Sequence, residues 1–135
     1  MPVDKHYPRA YVDACRARIE EEIAAFRALT AGSPPAAVEK FEPVCFGNLI
    51  VILNAMFIRR ESGGAGAESL DEVRLLADSI LANGGVFALQ DDVAYDPASA
   101  VLGIAPGERV VVRHDDFDRL ATAYFAAIEE SIGER

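Results

Sequence analysis

Between Val44 and about Arg60 nearly every side chain is apolar, and a chain carrying such a run must find cover for it before it can fold. The run is too long for an ordinary strand, so a helix is predicted. Its apolar stretch from Val44 to Ile58 is interrupted by Gly47, Asn48 and Asn54 and falls short of the roughly 20 residues that cross a bilayer. Projected at about 100° per residue, Gly47, Asn48, Val51, Asn54, Ala55 and Arg59 share one sector, while Phe46, Leu49, Ile50, Leu53, Phe57 and Ile58 fill the remainder. A helix apolar over most of its circumference belongs at the centre of a fold or against another subunit.

The flanking sequence supplies further helices. From Pro8 to Thr30, Tyr11, Cys15, Ile19, Ile23 and Phe26 form one apolar stripe. Gly32 stops that helix, Ser33-Pro34-Pro35 starts a short one through Ala36, Val38 and Phe41, and Pro43 is expected to break or kink the chain. Residues 61–68, ESGGAGAE, read as a flexible loop. Ser69 and Glu72 have the spacing of a capping box before Leu70, Val73, Leu76, Ala77 and Ile80, and Asn83-Gly84-Gly85 ends that helix. His114 or Asp115 is expected to cap a last helix carrying Phe117, Leu120, Ala121, Tyr124, Phe125, Ile128 and Ile132.

Residues 86–113 change character. The short runs 86–89, 93–95 and 110–113 predict two or three strands. Asp96-Pro97 caps a brief turn through Val101 and Leu102 that Gly103 stops, and Pro106-Gly107 fits the centre of a type II turn. The expected fold class is therefore α+β, mainly α. It has four to five helices and a small antiparallel β element at 86–113 before the C-terminal helix. With 135 residues the chain suits a single domain, since a second would leave each half too small.

A formal net charge of −9 repels phosphate backbones and anionic membrane surfaces, so neither nucleic acid nor membrane is an expected partner. Cys15 and Cys45 lie apart rather than in a CxxC pair, and MPVDKHYPRAY contains no apolar signal segment. A reduced cytoplasm is the expected compartment.

Candidate sites are sparse. His114-Asp115-Asp116 has the chemistry of an acid/base pair or part of a metal site, but helix capping explains it as well. With His6 as the sole other histidine, a multi-histidine metal site is excluded within one chain, and no metal or cofactor is expected. Asp91, Asp92 and Asp96 lack EF-hand spacing. GGAGAES at 63–69 lacks the GK[ST] ending of a phosphate loop. Cys15 has Arg16 and Arg18 nearby to activate a thiolate, yet it and Cys45 sit where small buried hydrophobes belong. Asn48, Asn54 and Arg59 are the more informative group, because amides within an apolar helix need hydrogen-bond partners. They fix register against a neighbour or line a cleft, where Arg59 or Arg60 would favour an anionic ligand.

Two resemblances add to this reading. Asp-Pro, a short helix and VLGIAPGERVVV at 101–112 resemble the swapped-hairpin DNA-binding domains of the AbrB and antitoxin type over about 20 residues. The basic residues such a family needs are missing: within 86–116 only Arg109 and Arg113 face six acidic side chains. More broadly, FEPVCFGNLIVILNAMFIRR, DEVRLL, NGGV, VLGIAPGERV and the final DF-x-RL helix resemble a group of small bacterial proteins of unknown function. That likeness implies a bacterial cytoplasmic protein and carries no activity.

The sequence expectation is thus an interaction or scaffold module that self-associates, with Leu49, Ile50, Leu53 and Phe57 forming the seam. The alternatives are a binder of a small, anionic ligand or an enzyme with a pocket beside Asn48, Asn54 and Arg59, and thirdly a DNA-binding regulator. No nucleophile and base pair is identifiable, so catalysis is not expected.

Overall fold

The computed structural model describes residues 7–57, 68–90 and 93–132. Among them are four helices: α1 (Arg9–Thr30), α2 (Pro35–Met56), α3 (Glu68–Ala82) and α4 (His114–Ile132). The 44–60 segment is central, as its composition requires. Helix α2 packs against each of the other three, whereas α1 and α3 do not meet across the described residues. Phe46, Leu49, Ile50, Leu53 and Phe57 point into the shared core with Val12, Ile19, Val73, Leu76, Phe117, Leu120 and Tyr124. Phe57 lies 5.8 Å from the Tyr124 ring and 5.9 Å from that of Phe125, joining α2 to α4. No described helix is long and apolar enough to cross a membrane.

Pro43 does not break the chain. Helix α2 runs through it, so the expected short helix and the apolar helix are one. The missing N–H costs one intrahelical bond, and aromatic packing holds both sides of the gap. Phe26 of α1 stacks on Phe41 before the proline (6.0 Å, 18°) and meets Phe46 after it edge-on (4.9 Å, 74°).

Among the described residues the expected β element reduces to one antiparallel bridge between Val86 and Arg109. Phe87 donates to the Glu108 carbonyl at 2.8 Å, Gly107 to Phe87 at 2.9 Å and Val110 to Gly85 at 2.7 Å. Side chains bond backbone groups in the rest of this segment. Ser79 Oγ accepts the Ala88 N–H at 3.0 Å, Tyr95 donates its hydroxyl to the Ile104 carbonyl at 2.6 Å, and Glu72 accepts the N–H groups of Val101 and Leu102 at 2.8 and 2.9 Å. The 105–108 turn forms as expected, with Glu108 N–H bonded to Ala105 O at 3.0 Å and Gly107 at φ 91°.

Helix ends also differ from expectation. Ser69 and Glu72 do not form a capping box: Ser69 donates to the Ala123 carbonyl of α4 at 3.2 Å, and Glu72 reaches the 101–102 segment. At α4 the cap position is Arg113 rather than His114 or Asp115. Its N–H bonds Asp116 Oδ2 at 3.1 Å, and Glu42 of α2 accepts the His114 N–H at 2.8 Å. A carboxylate from a neighbouring helix thus serves as part of the cap.

Candidate functional site

The core face of α2 defines, by subtraction, what the helix shows to solvent. Phe41 is 40% exposed and Val44 59%. Ala37, Asn48 and Ala55 are exposed as well, and Cys45, Val51 and Ile52 half-buried. Ala37, Phe41, Val44, Asn48, Val51 and Ala55 follow alternating steps of four and three, the spacing of a helix-pairing seam. The outward face of a central helix is thus an apolar stripe with Asn48 at its middle and the exposed Lys40 at its edge.

This placement revises the sequence expectation at several points. Leu49, Ile50, Leu53 and Phe57 are buried inside the chain, each at 2% exposure or less. They leave no surface to offer a second subunit, because α3 and α4 provide the cover that a partner was expected to supply. Of the expected ligand residues, Asn48 is exposed, Asn54 is half-buried on the flank of the helix, and Arg59 lies outside the described residues. Gly47 turns toward α3, where an added Cβ would stand 3.8 Å from Ile80 Cδ1. Arg60, most of the 61–68 loop, Asp91 and Asp92 also fall outside the described residues.

On the core side of α2, away from this stripe, His114 joins three helices. Its ring stacks on Phe46 at 5.3 Å and 13°. Its Nε2 lies 3.2 Å from Asp118 Oδ2 and also 3.2 Å from Arg27 Nη2. A guanidinium only donates and a carboxylate only accepts, so this nitrogen satisfies one neighbour at a time, according to tautomer and protonation. His114, Asp115 and Asp118 bring possible ligand atoms within 4.8 Å of one another. The Arg27 charge and the positive end of α4 both oppose a cation at that point. Asp116, grouped with His114 by sequence, instead caps α4 and pairs with Arg119 at 3.1 Å.

The thiols carry no sign of activation. Cys15 is buried and Cys45 half-buried. Burial pushes the Cys15 thiol up, against a smaller opposing effect of its hydrogen bond with Tyr11. Burial, then the Glu22 and Glu42 carboxylates, push Cys45 up.

Ala37, Phe41 and Val44 are the members of the outward stripe that sequence reasoning missed. Assigning a break to Pro43 placed them in separate elements, although their spacing to Asn48 was present. Comparison of the chain with family models, with curated proteins and with solved structures returned no match.

Proposed function

We propose that this protein is an interaction module that self-associates through the outward face of α2, with Phe41, Val44, Val51, Ile52 and Ala55 as its apolar contacts. One observation carries the reading: α2, which packs against all three other helices as α4 does, leaves an apolar stripe of its own uncovered. Scattered exposed hydrophobes are ordinary, but an aligned stripe on one rigid helix marks an interaction surface. The buried residues first expected at a seam hold the module together, and the exposed ones meet the partner.

The stripe from Ala37 to Ala55 is about 27 Å long at a rise of 1.5 Å per residue, and at a helix width of about 10 Å it presents roughly 300 Å². Standard interfaces cover roughly 800 Å² on each partner, so the association is reversible rather than obligate. Sedimentation equilibrium tests this with wild type beside Val44→Glu. The expected result is concentration-dependent dimerisation that the substitution abolishes while the helical circular dichroism is unchanged. Monomeric wild type throughout the concentration range overturns the reading.

A further inference from the structure

We infer that His114 is a proton-operated latch between α1 and α4. Neutral, its Nε2 accepts a hydrogen bond from Arg27 and ties the last turn of α1 to the start of α4; protonated, it releases Arg27 and holds Asp118 alone. Both partners stand 3.2 Å from this one nitrogen. The guanidinium can donate to it only while the nitrogen keeps its lone pair, and an imidazolium has none. Protonation also sets a second positive charge beside the first, so Arg27 is repelled as well as unbonded.

Helix α1 is fastened to α4 at both ends. Near its start, Arg9 and Arg16 pair with Glu129 toward the end of α4, and the Arg16 guanidinium lies over the Phe125 ring at 4.8 Å. In its last turn the polar fastening is Arg27 to His114. Arginine and glutamate side chains keep their charges from about pH 5 to 8, the range in which imidazole loses its own. One fastening is therefore fixed while the other responds to protons.

The ring can change its proton without changing its place. It stacks on Phe46 of α2 at 5.3 Å and meets Phe26 of α1 edge-on at 6.2 Å, and Glu42 of α2 holds the backbone N–H of His114 at 2.8 Å. Its side chain keeps 17% exposure, which gives solvent protons access. Charges of both signs surround it. Arg27 on α1, Arg113 just before α4 and the positive end of α4 oppose an imidazolium, whereas Glu42 on α2 and Asp115 and Asp118 on α4 favour it. Glu22 of α1 and the Cys45 thiol of α2 complete the group, the thiol interacting with Glu22 and Glu42. Phe26 packs on Phe41 and Phe46 in either state, so the latch acts on the last turn of α1 and leaves the helix docked.

Histidine NMR over a pH series tests the latch. His6→Gln leaves His114 as the single imidazole. The expected result is one titration step between about pH 5 and 8, with the amide signals of residues 27–31 following the same midpoint. On the acid side, hydrogen exchange across 27–31, corrected for its intrinsic pH dependence, quickens several-fold while that of 12–19 is unchanged. Arg27→Ala, at an exposed position, is expected to raise the proton affinity of His114 several-fold and to abolish the response at 28–31. Asp118→Asn is expected to lower that affinity several-fold. A ring that titrates with no response at 27–31, or a response that persists in Arg27→Ala, overturns the latch and leaves His114 a packing residue. An affinity unmoved by one or other substitution, or the absence of a step in this range, overturns it as well.

Discussion

The carboxylate of Glu72 accepts the backbone N–H of Val101 at 2.8 Å, from 29 residues away in sequence. Its second oxygen takes the neighbouring Leu102 N–H, and the side chain is only 2% exposed. These charge-assisted bonds supply the partners that a strand would otherwise provide for the loop. Glu72→Ala is expected to cost about 2–4 kcal/mol by stranding two donors, and Glu72→Gln, which keeps one acceptor, about 1–2 kcal/mol. Urea unfolding checks both; equal losses would mean that packing, not hydrogen bonding, holds the segment.

Glu42 binds the start of α4 twice, through the His114 N–H at 2.8 Å and Arg113 Nη1 at 3.3 Å. Replacement by Ala is expected to cost about 1–2 kcal/mol, comparable to losing a helix cap. The Arg113 contact alone contributes less, since that guanidinium is 40% exposed. Arg113→Ala beside Glu42→Ala in urea separates the two contributions, and a larger loss from Arg113→Ala would contradict this assignment.

Interior Pro43 deprives α2 of a backbone bond without ending it. Pro43→Ala is expected to raise stability by about 1–2 kcal/mol, less than the full helix-propensity difference of about 3 kcal/mol because the unfolded chain also gains freedom. An unchanged or lower urea midpoint would show that the ring contributes packing that Ala cannot replace.

Much of this organisation was legible in the sequence. The sector holding Phe46, Leu49, Ile50, Leu53 and Phe57 is the face that α2 buries, because helical periodicity and burial are the same geometry. What covers that face was not legible. An apolar surface does not encode whether its cover comes from the same chain or another, and here α3 and α4 supply it. Glu72 was misread for a related reason: a capping box is a local pattern, and the competing backbone donors at Val101 and Leu102 are far away in sequence. The outward stripe was hidden behind Pro43, whose local cost is outweighed by Phe26 packing on both Phe41 and Phe46.

Alkaline pH should weaken the fold. Burial foremost pushes Tyr11 and Tyr95 up from the ordinary 10.0 to about 12 and raises the two thiols above 9.0. The unfolded chain therefore releases these protons first, so stability is full below about pH 9 and declines as pH rises toward 12. Absorbance titration of tyrosinate should show a fraction that ionises only near pH 12, with the urea midpoint falling between pH 8 and 10.5. Uniform ionisation near pH 10 would contradict these raised values.

The most direct measurement is a dilution series of amide correlation NMR spectra on the labelled wild-type protein. The account predicts concentration-dependent shifts confined to the outward side of α2, centred on Asn48 and extending to Phe41 and Ala55, with the buried Leu49 and Leu53 amides changing less. Spectra that do not change with concentration, or changes that map to the exposed Leu81 and Leu89 instead, would contradict it.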